Sequence, residues 1–198
     1  MTTTLYTVGY SNHTLEHFLA LLRANSITAI ADVRSSPYGG YSPHFNREPL
    51  SAALQECGIA YVWLGAELGA RPADPTCYDQ SGRVVYRKLG SSPAFSSGLN
   101  RVVQGAQKYR LALMCAEAEP LRCHRSVLIG RALELRGVDL QHIRPDGSVE
   151  THETVMSRLL EQAGCDEADM FRSREELVDY ACACLEHEIA FRRQETTS

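Results

Sequence analysis

Leu111-Ala-Leu-Met-Cys115-Ala-Glu117-Ala-Glu119-Pro-Leu-Arg122-Cys123-His124-Arg125-Ser126 decides the fold. Its first residues form a short apolar run with no polar break, as a buried parallel strand does. A polar loop follows, and a helix starts near Cys123. Strand, loop and helix in that order are the unit of an α/β sheet. Two thiols, a carboxylate, an imidazole and arginines fall at the turn, where such sheets place their sites.

The same alternation extends to both sides. Leu5 to Tyr10 reads as a strand, and Leu15, Phe18, Leu19 and Leu22 then recur at helical spacing behind an N-cap at Thr14 or Asn12. Ile27 to Val33 is a second, almost wholly apolar strand. A loop rich in Gly, Pro and Ser leads to a helix near Pro49 to Glu56, closed by Gly58 at the C′ position. Ile59 to Leu64 is a third strand. The stretch from Gly65 to Ser92 is long for a compact domain, which marks a lid, a functional loop or small elements. Pro93 to Lys108 reads as a helix before the fourth strand, Tyr109 to Cys115. Cys123 to Arg136 is a helix stopped by Gly137, Val138 to Ile143 is the fifth strand, and Pro145 to Ser148 is a tight turn. Thr151 to Ala163 and Arg174 to Arg193 are helices, with a frayed tail from Gln194 to Ser198.

Strands separated by helices imply crossovers and a parallel sheet. The predicted fold is therefore α/β: one Rossmann-like domain over residues 1–198, with about five mainly parallel strands and helices on both faces. Its core spans 5–143, and a C-terminal helical extension, 151–193, packs on the sheet.

The chain has 198 residues, 44% hydrophobic and 22% charged, which suits one domain with a proper core. Its net charge of −4 opposes non-specific binding to duplex DNA, which needs a basic face, but leaves room for a local basic pocket. No basic segment followed by an apolar run opens the sequence, and no apolar stretch is long enough for a membrane span, so a cytoplasmic protein is expected. The seven cysteines are odd in number and irregularly spaced, as reduced thiols are. Cys182-x-Cys184 is the only close pair, and Cys184 shares an apolar helical stripe with Leu177, Ala181 and Leu185.

In an open parallel sheet, ligands bind beyond the carboxyl ends of the strands. That rule gathers Tyr10, Ser11, Asn12 and His13 from strand one, and Asp32, Arg34 and Ser35 from strand two. Strand four adds Cys115, Glu117, Cys123, His124 and Arg125, and strand five adds His142. Asp32 and Arg34 lie two apart at a strand end and point to one side. They read either as an anion grip, with Asp32 orienting Arg34, or as an ion pair closing the strand. Cys115 reads as buried cysteine by default. Cys123 is better placed for a lowered pKa, at the first turn of its helix. The loop Tyr38-Gly-Gly-Tyr-Ser-Pro-His-Phe45-Asn-Arg47 mixes rings and basic groups that could stack a base and hold a phosphate, or simply pack with Phe45 in the core.

Sharper motifs fail. Six residues separate Cys115 from Arg122 and nine separate it from Arg125, longer than a thiol-phosphatase loop allows. Adjacent Cys123 and His124 rarely share one ion, so no metal site is assigned. There is no GxGxxG after strand one and no Walker lysine loop.

Taken in order, Thr7-Val-Gly9-Tyr10-Ser11-Asn12, Asp32-Val33-Arg34-Ser-Ser-Pro37, Phe45, Gly58-Ile59-Ala-Tyr61, Leu68-Gly69, Met114-Cys115-Ala-Glu117, Cys123-His124-Arg125 and His142-Ile143 resemble the DUF488 family. The resemblance runs over roughly residues 5–143. The family usually has a second Gly after Leu-Gly, where this chain has Ala70. The resemblance implies a Rossmann-like domain and no particular activity or cofactor. Its motif positions fall here on Ser11, Asn12, Asp32, Arg34, Cys115, Glu117, Cys123, His124 and Arg125.

The leading expectation is an enzyme acting on a phosphorylated, nucleotide-like or nucleic-acid-derived ligand. Cys115, Glu117, Cys123 and His124 are its candidate catalytic residues. Tyr10, Ser11, Asn12, Asp32, Arg34, Phe45, Arg47 and Arg125 are its candidate ligand-binding residues, with Arg34 and Arg125 gripping the anion. The rivals are a non-catalytic nucleotide or nucleic-acid binding module built on the loop 38–47, and a purely structural Cys123-His124-Arg125 corner.

Overall fold

A computed structural model describes residues 3–166 and 170–193. Five parallel strands and one antiparallel strand form a sheet: β1 (Thr4–Gly9), β2 (Ala29–Asp32), β3 (Ala60–Trp63), β4 (Leu111–Cys115), β5 (Asp139–Ile143) and β6 (Val149–Thr151). Their order is β3-β2-β4-β1-β5-β6. The Rossmann-like α/β expectation holds, with one strand more than the sequence suggested. β6 was hidden because it is three residues long, mostly exposed, and pairs only at the sheet edge.

The helices follow from local signals. Thr14 caps α1 (Leu15–Ala24) by accepting from the His17 amide, 3.2 Å away. α2 (Arg47–Glu56) ends at Gly58, whose φ of 71° closes the helix as a C′ glycine does. The long stretch after β3 contains α3 (Gly65–Leu68), a 3₁₀ turn at Pro75–Cys77 and α4 (Tyr86–Gly90). α5 (Pro93–Ala106) precedes β4. The expected helix from Cys123 is π-helical over Arg125–Gly130 before it becomes α6 (Arg131–Glu134). Such widened turns recur at functional sites. α7 (His152–Gln162) and α8 (Arg174–Ile189) complete the chain, α8 held by a Ser173/Glu176 capping box. The tail expected from Gln194 lies outside the described residues.

β-Strand alternation builds two cores. Leu111, Leu113 and Cys115 face one side with Leu99 and Val102 of α5, Leu159 of α7 and Leu177 of α8. Ala112 and Met114 face the other with Phe18 of α1 and Leu54 of α2. Each strand therefore hands its odd and even residues to different helix layers. Cys115 and Cys123 fall in the same layer, on the α8 side. In α8 itself the apolar stripe runs through Val178, Cys182 and Leu185, so Cys184 is exposed rather than buried as the sequence suggested.

The order of strands also fixes where a site can form. From β1 the chain crosses over β4 to reach β2. From β4 it crosses over β1 to reach β5. The two connections leave in opposite directions, which opens a crevice between the carboxyl ends of β1 and β4. Among the described residues, no helix is long and apolar enough to cross a membrane.

Candidate functional site

The ends of β1 and β4 are tied together before any cavity begins. The Tyr10 amide donates to the Cys115 carbonyl at 3.3 Å, and the Ser11 amide to that of Ala116 at 2.8 Å. The loop then folds directly over Gly9: a Cβ there would sit 1.9 Å from the Glu117 carbonyl oxygen. Gly9 is therefore required by close backbone approach. Gly65 plays the same part under Arg34, where a Cβ would lie 1.8 Å from the Arg34 carbonyl oxygen. These contacts fix the loops that carry Glu117 and Arg34.

A cavity of about 460 Å³ opens between them. Cys115, Glu117, Cys123 and His124 line one wall, Tyr10, Arg34 and Ser35 the facing wall, the buried Tyr86 adds to the lining, and the exposed Arg71 and Arg122 complete it. Cys115 donates to Glu117 Oε2 at 3.0 Å. Cys123 Sγ lies 3.6 Å from His124 Nδ1 and 3.5 Å from the Arg125 amide nitrogen. The Cys115 sulfur, the Cys123 sulfur and a His124 ring nitrogen all lie within 4.8 Å of one another. His124 Nε2 is buried with no hydrogen-bond partner among the described residues.

Electrostatics separates the two thiols. Burial alone would push Cys123 up. The neighbouring Cys115 thiol, with the positive charges of Arg125 and His124, overcomes burial and holds Cys123 well below an ordinary thiol. Cys115 moves the other way, raised by the adjacent Cys123 sulfur and by burial. For His124, burial opposes the charge, but the adjacent Cys123 thiolate outweighs it and raises the pKa. Glu117 is raised by desolvation of its carboxyl and then by the Cys123 charge, although the residue as a whole reaches solvent. The arrangement is a thiol shifted toward its thiolate beside an imidazole shifted toward its protonated form, with a second thiol that keeps its proton and donates a hydrogen bond to Glu117.

Asp32 and Arg34 form a buried pair closed at 2.6 Å. The Tyr61 hydroxyl donates to the same carboxylate at 2.7 Å. Burial would lower the Arg34 pKa, but bonding to Asp32 keeps it above its ordinary value. Arg34 Nη1 reaches the Tyr10 hydroxyl at 3.3 Å on the cavity side. The two sequence readings of this pair are therefore one structure: the pair closes the strand, and it also presents Arg34 to the cavity.

Other sequence candidates are placed differently. Arg125 is fully buried, not paired with Arg34 across the cavity. It donates to the carbonyls of Glu117 and Ala118 and to Thr7 Oγ1, so its guanidinium holds the loop. Phe45 is also fully buried, stacked on Tyr10 at 4.1 Å between centroids, and serves the core. Arg47 stands over the Trp63 ring at 5.4 Å, away from the cavity lining. His142 does not reach the sheet edge. It is buried between Thr7, at 2.7 Å, and His152, at 3.0 Å. Ser11 and Asn12 line a second cavity of about 240 Å³ together with Tyr38, Tyr41 and Asn46. Tyr10, Arg34, Ser36, Tyr38 and Ala116 border both cavities, so the two adjoin.

Arg71, Arg122 and Tyr86 are additions that sequence reasoning missed. Arg71 lies 4.5 Å from the centroid of the Phe191 ring. Neither Arg71 nor Arg122 has a carboxylate partner among the described residues. Three donor atoms close together are also what a zinc ion takes. Here, however, Arg71 and Arg122 line the same cavity and Arg125 acts on Cys123 from behind it, and that positive charge favours an anion over a cation.

No curated protein and no solved structure matches the chain. A family model described as "Domain of unknown function DUF488" matches residues 14–132, more than half of the chain. The match covers Asp32, Arg34 and the whole Cys115–Arg125 wall, and the chain belongs to the DUF488 family.

Proposed function

We propose that this protein is a thiol-dependent enzyme acting on a small phosphorylated or nucleotide-like ligand. One observation carries the reading. A sulfur held as thiolate opens onto a cavity whose other charged groups are mostly guanidinium. Arg34, oriented by Asp32, and Arg71 and Arg122, which have no carboxylate partner among the described residues, would bind the anion. Cys123 would be the nucleophile, with His124 as its ion-pair partner. Glu117, raised toward the working range of a general acid or base, would move a proton on or off the reacting group. The adjoining cavity, with Ser11, Asn12, Tyr38 and Asn46, has the hydroxyls and amides to hold the uncharged part of such a ligand. Seven free thiols fit a reducing, cytoplasmic setting.

The test is calorimetric screening against nucleotides and phosphorylated metabolites, followed by turnover assays on any ligand that binds. Arg71→Ala and Arg122→Ala, both at exposed residues, should each weaken binding about tenfold by removing a charge-assisted hydrogen bond. Cys123→Ser should keep binding and lose turnover. Unchanged affinity in both arginine variants would end the proposal.

The rival reading is a binding module without catalysis. It is favoured by Tyr41, 98% exposed beside the second cavity. Under that reading Tyr41→Ala loses binding, and Cys123→Ser changes nothing.

A further inference from the structure

We propose that Cys115 and Cys123 form a reversible dithiol–disulfide couple, in which a peroxide oxidises Cys123 and Cys115 resolves it. This deepens the proposed function and rests on the Cys123 thiolate described there. The geometry is the main support. The two sulfurs come from different elements, the end of β4 and the entry to the π-helical turn, yet lie within 4.8 Å of each other. Neither is there by chance of a loose loop. The segment between them is pinned by the Tyr10 and Ser11 amides at one end and by the buried Arg125 guanidinium at Glu117 and Ala118. Both sulfurs line the same cavity, which gives a small oxidant access to otherwise buried groups.

The second support is the third group at the site. Glu117 Oε2 accepts from Cys115 at 3.0 Å. A carboxylate in that position can take the thiol proton at the moment Cys115 attacks. A cysteine that merely filled the core would need no such acceptor, as Cys77 shows: it is buried without a carboxylate hydrogen bond among the described residues.

The chemistry balances. The Cys123 thiolate attacks a peroxide oxygen. The S–O bond forms, the O–O bond breaks, and the leaving oxygen takes a proton from protonated His124 to depart as water or an alcohol. Sulfur loses two electrons and the peroxide gains them, leaving a sulfenic acid. Cys115 sulfur then attacks the Cys123 sulfur. The S–S bond forms, the S–O bond breaks, and hydroxide leaves as water with the proton that Glu117 took from Cys115. An external dithiol reverses the couple by exchange.

The experiment uses the full chain treated with stoichiometric hydrogen peroxide, then iodoacetamide, then peptide mapping by mass. The expected product is lighter by two hydrogens. With the alkylation carried out in denaturant, Cys115 and Cys123 are both protected, the remaining cysteines react, and dithiothreitol restores both thiols. Cys115→Ser should instead carry one or more added oxygens on Cys123, and dithiothreitol should fail to reverse the fraction that has passed beyond sulfenic acid. Alkylation without peroxide is the separate check on the thiolate. If Cys123 alkylates as a thiolate but the wild-type chain gains oxygens and no disulfide, the couple is overturned while the functional reading stands. If Cys123 reacts like a free thiol, both fall. Stoichiometric zinc bound to the purified protein, released when the two thiols are alkylated, would also overturn the couple.

Discussion

Buried histidines lie on either side of Arg125, and their pKa values are pushed in opposite directions. In the cavity, His124 sits beside Cys123, and the thiolate raises its pKa against the cost of burial. On the far side, His142 and His152 are pushed down by desolvation, His152 to about 4. Both clusters are sealed from bulk water to a similar degree: His124 is 7% exposed and His152 is 4%. Burial therefore decides the charge only where no close anion opposes it. His124 touches an anion, while His142 meets His152 and the positive charge of Arg125, and the Glu134 carboxylate 3.9 Å from His152 does not offset the desolvation of that ring.

The neutral cluster also has a direction. The Arg125 guanidinium can only donate, so Thr7 Oγ1 accepts from it at 3.4 Å. Thr7 then spends its own proton on His142 Nδ1, His142 donates from Nε2 to His152 Nδ1, and the His152 Nε2 proton points toward Glu134, 3.9 Å away. This tautomer assignment is the one that uses the single Thr7 proton. Arg125 thus ends a chain of neutral hydrogen bonds with one nitrogen and holds the active loop with the other two. It joins the two clusters instead of lining the cavity.

Arg125→Met is the strongest way to break that comparison. It leaves the Glu117 and Ala118 carbonyls and Thr7 without their donor, and the expected loss is about 4 kcal/mol in denaturant unfolding. A loss under about 1 kcal/mol would mean the loop is held by something else.

The next effect is in pH. His152 has a folded pKa near 4, below its unfolded value of about 6.5, so the unfolded chain binds more protons between them. Stability from this group is complete above about 6.5 and is lost as pH falls toward 4, about 3 kcal/mol in all. His142, lowered in the same direction, adds to it. Unfolding midpoints measured across that window should fall with acid, and His152→Gln should flatten the slope. A slope of equal size in the variant would place the effect elsewhere.

His124→Gln sharpens the other cluster. Without the imidazolium, the Cys123 thiolate loses a stabilising charge, and its titration should move up by about one pKa unit, or 1.4 kcal/mol. Thiolate absorbance against pH reads this directly. The smallest effect is expected at Arg47→Ala. Its side chain lies over Trp63, clear of the cavity, so ligand binding should not change and stability should move by no more than about 0.5 kcal/mol.

Legibility in the sequence followed regularity. The apolar runs at Ile27–Val33 and Leu111–Cys115 announced buried strands, and their ends brought Asp32, Arg34, Cys115 and Glu117 to one crevice. Cys123 and His124 were legible because they open a helix right after that crevice. β6 was not, since three mostly exposed edge residues carry no hydrophobic signal. Arg71 and Tyr86 were lost in a stretch whose short helices lack a readable period. Arg122 was visible only as a spacing from Cys115, because an exposed arginine in a polar loop looks like ordinary surface. Phe45 and Arg47 followed the active edge in sequence but turned to the core and to Trp63, and no pattern in the loop distinguishes those outcomes.

The central claim is that Cys123 is a thiolate at the base of an anion-binding cavity. The most direct measurement is the rate of Cys123 alkylation by iodoacetamide as a function of pH, read peptide by peptide against the other cysteines. The expected profile for Cys123 is already at its plateau near neutral pH, well below the free-cysteine midpoint of about 8.5, and it should shift downward in rate when inorganic phosphate occupies the cavity. A Cys123 profile with a midpoint at or above about 8.5, indifferent to phosphate, would contradict the account.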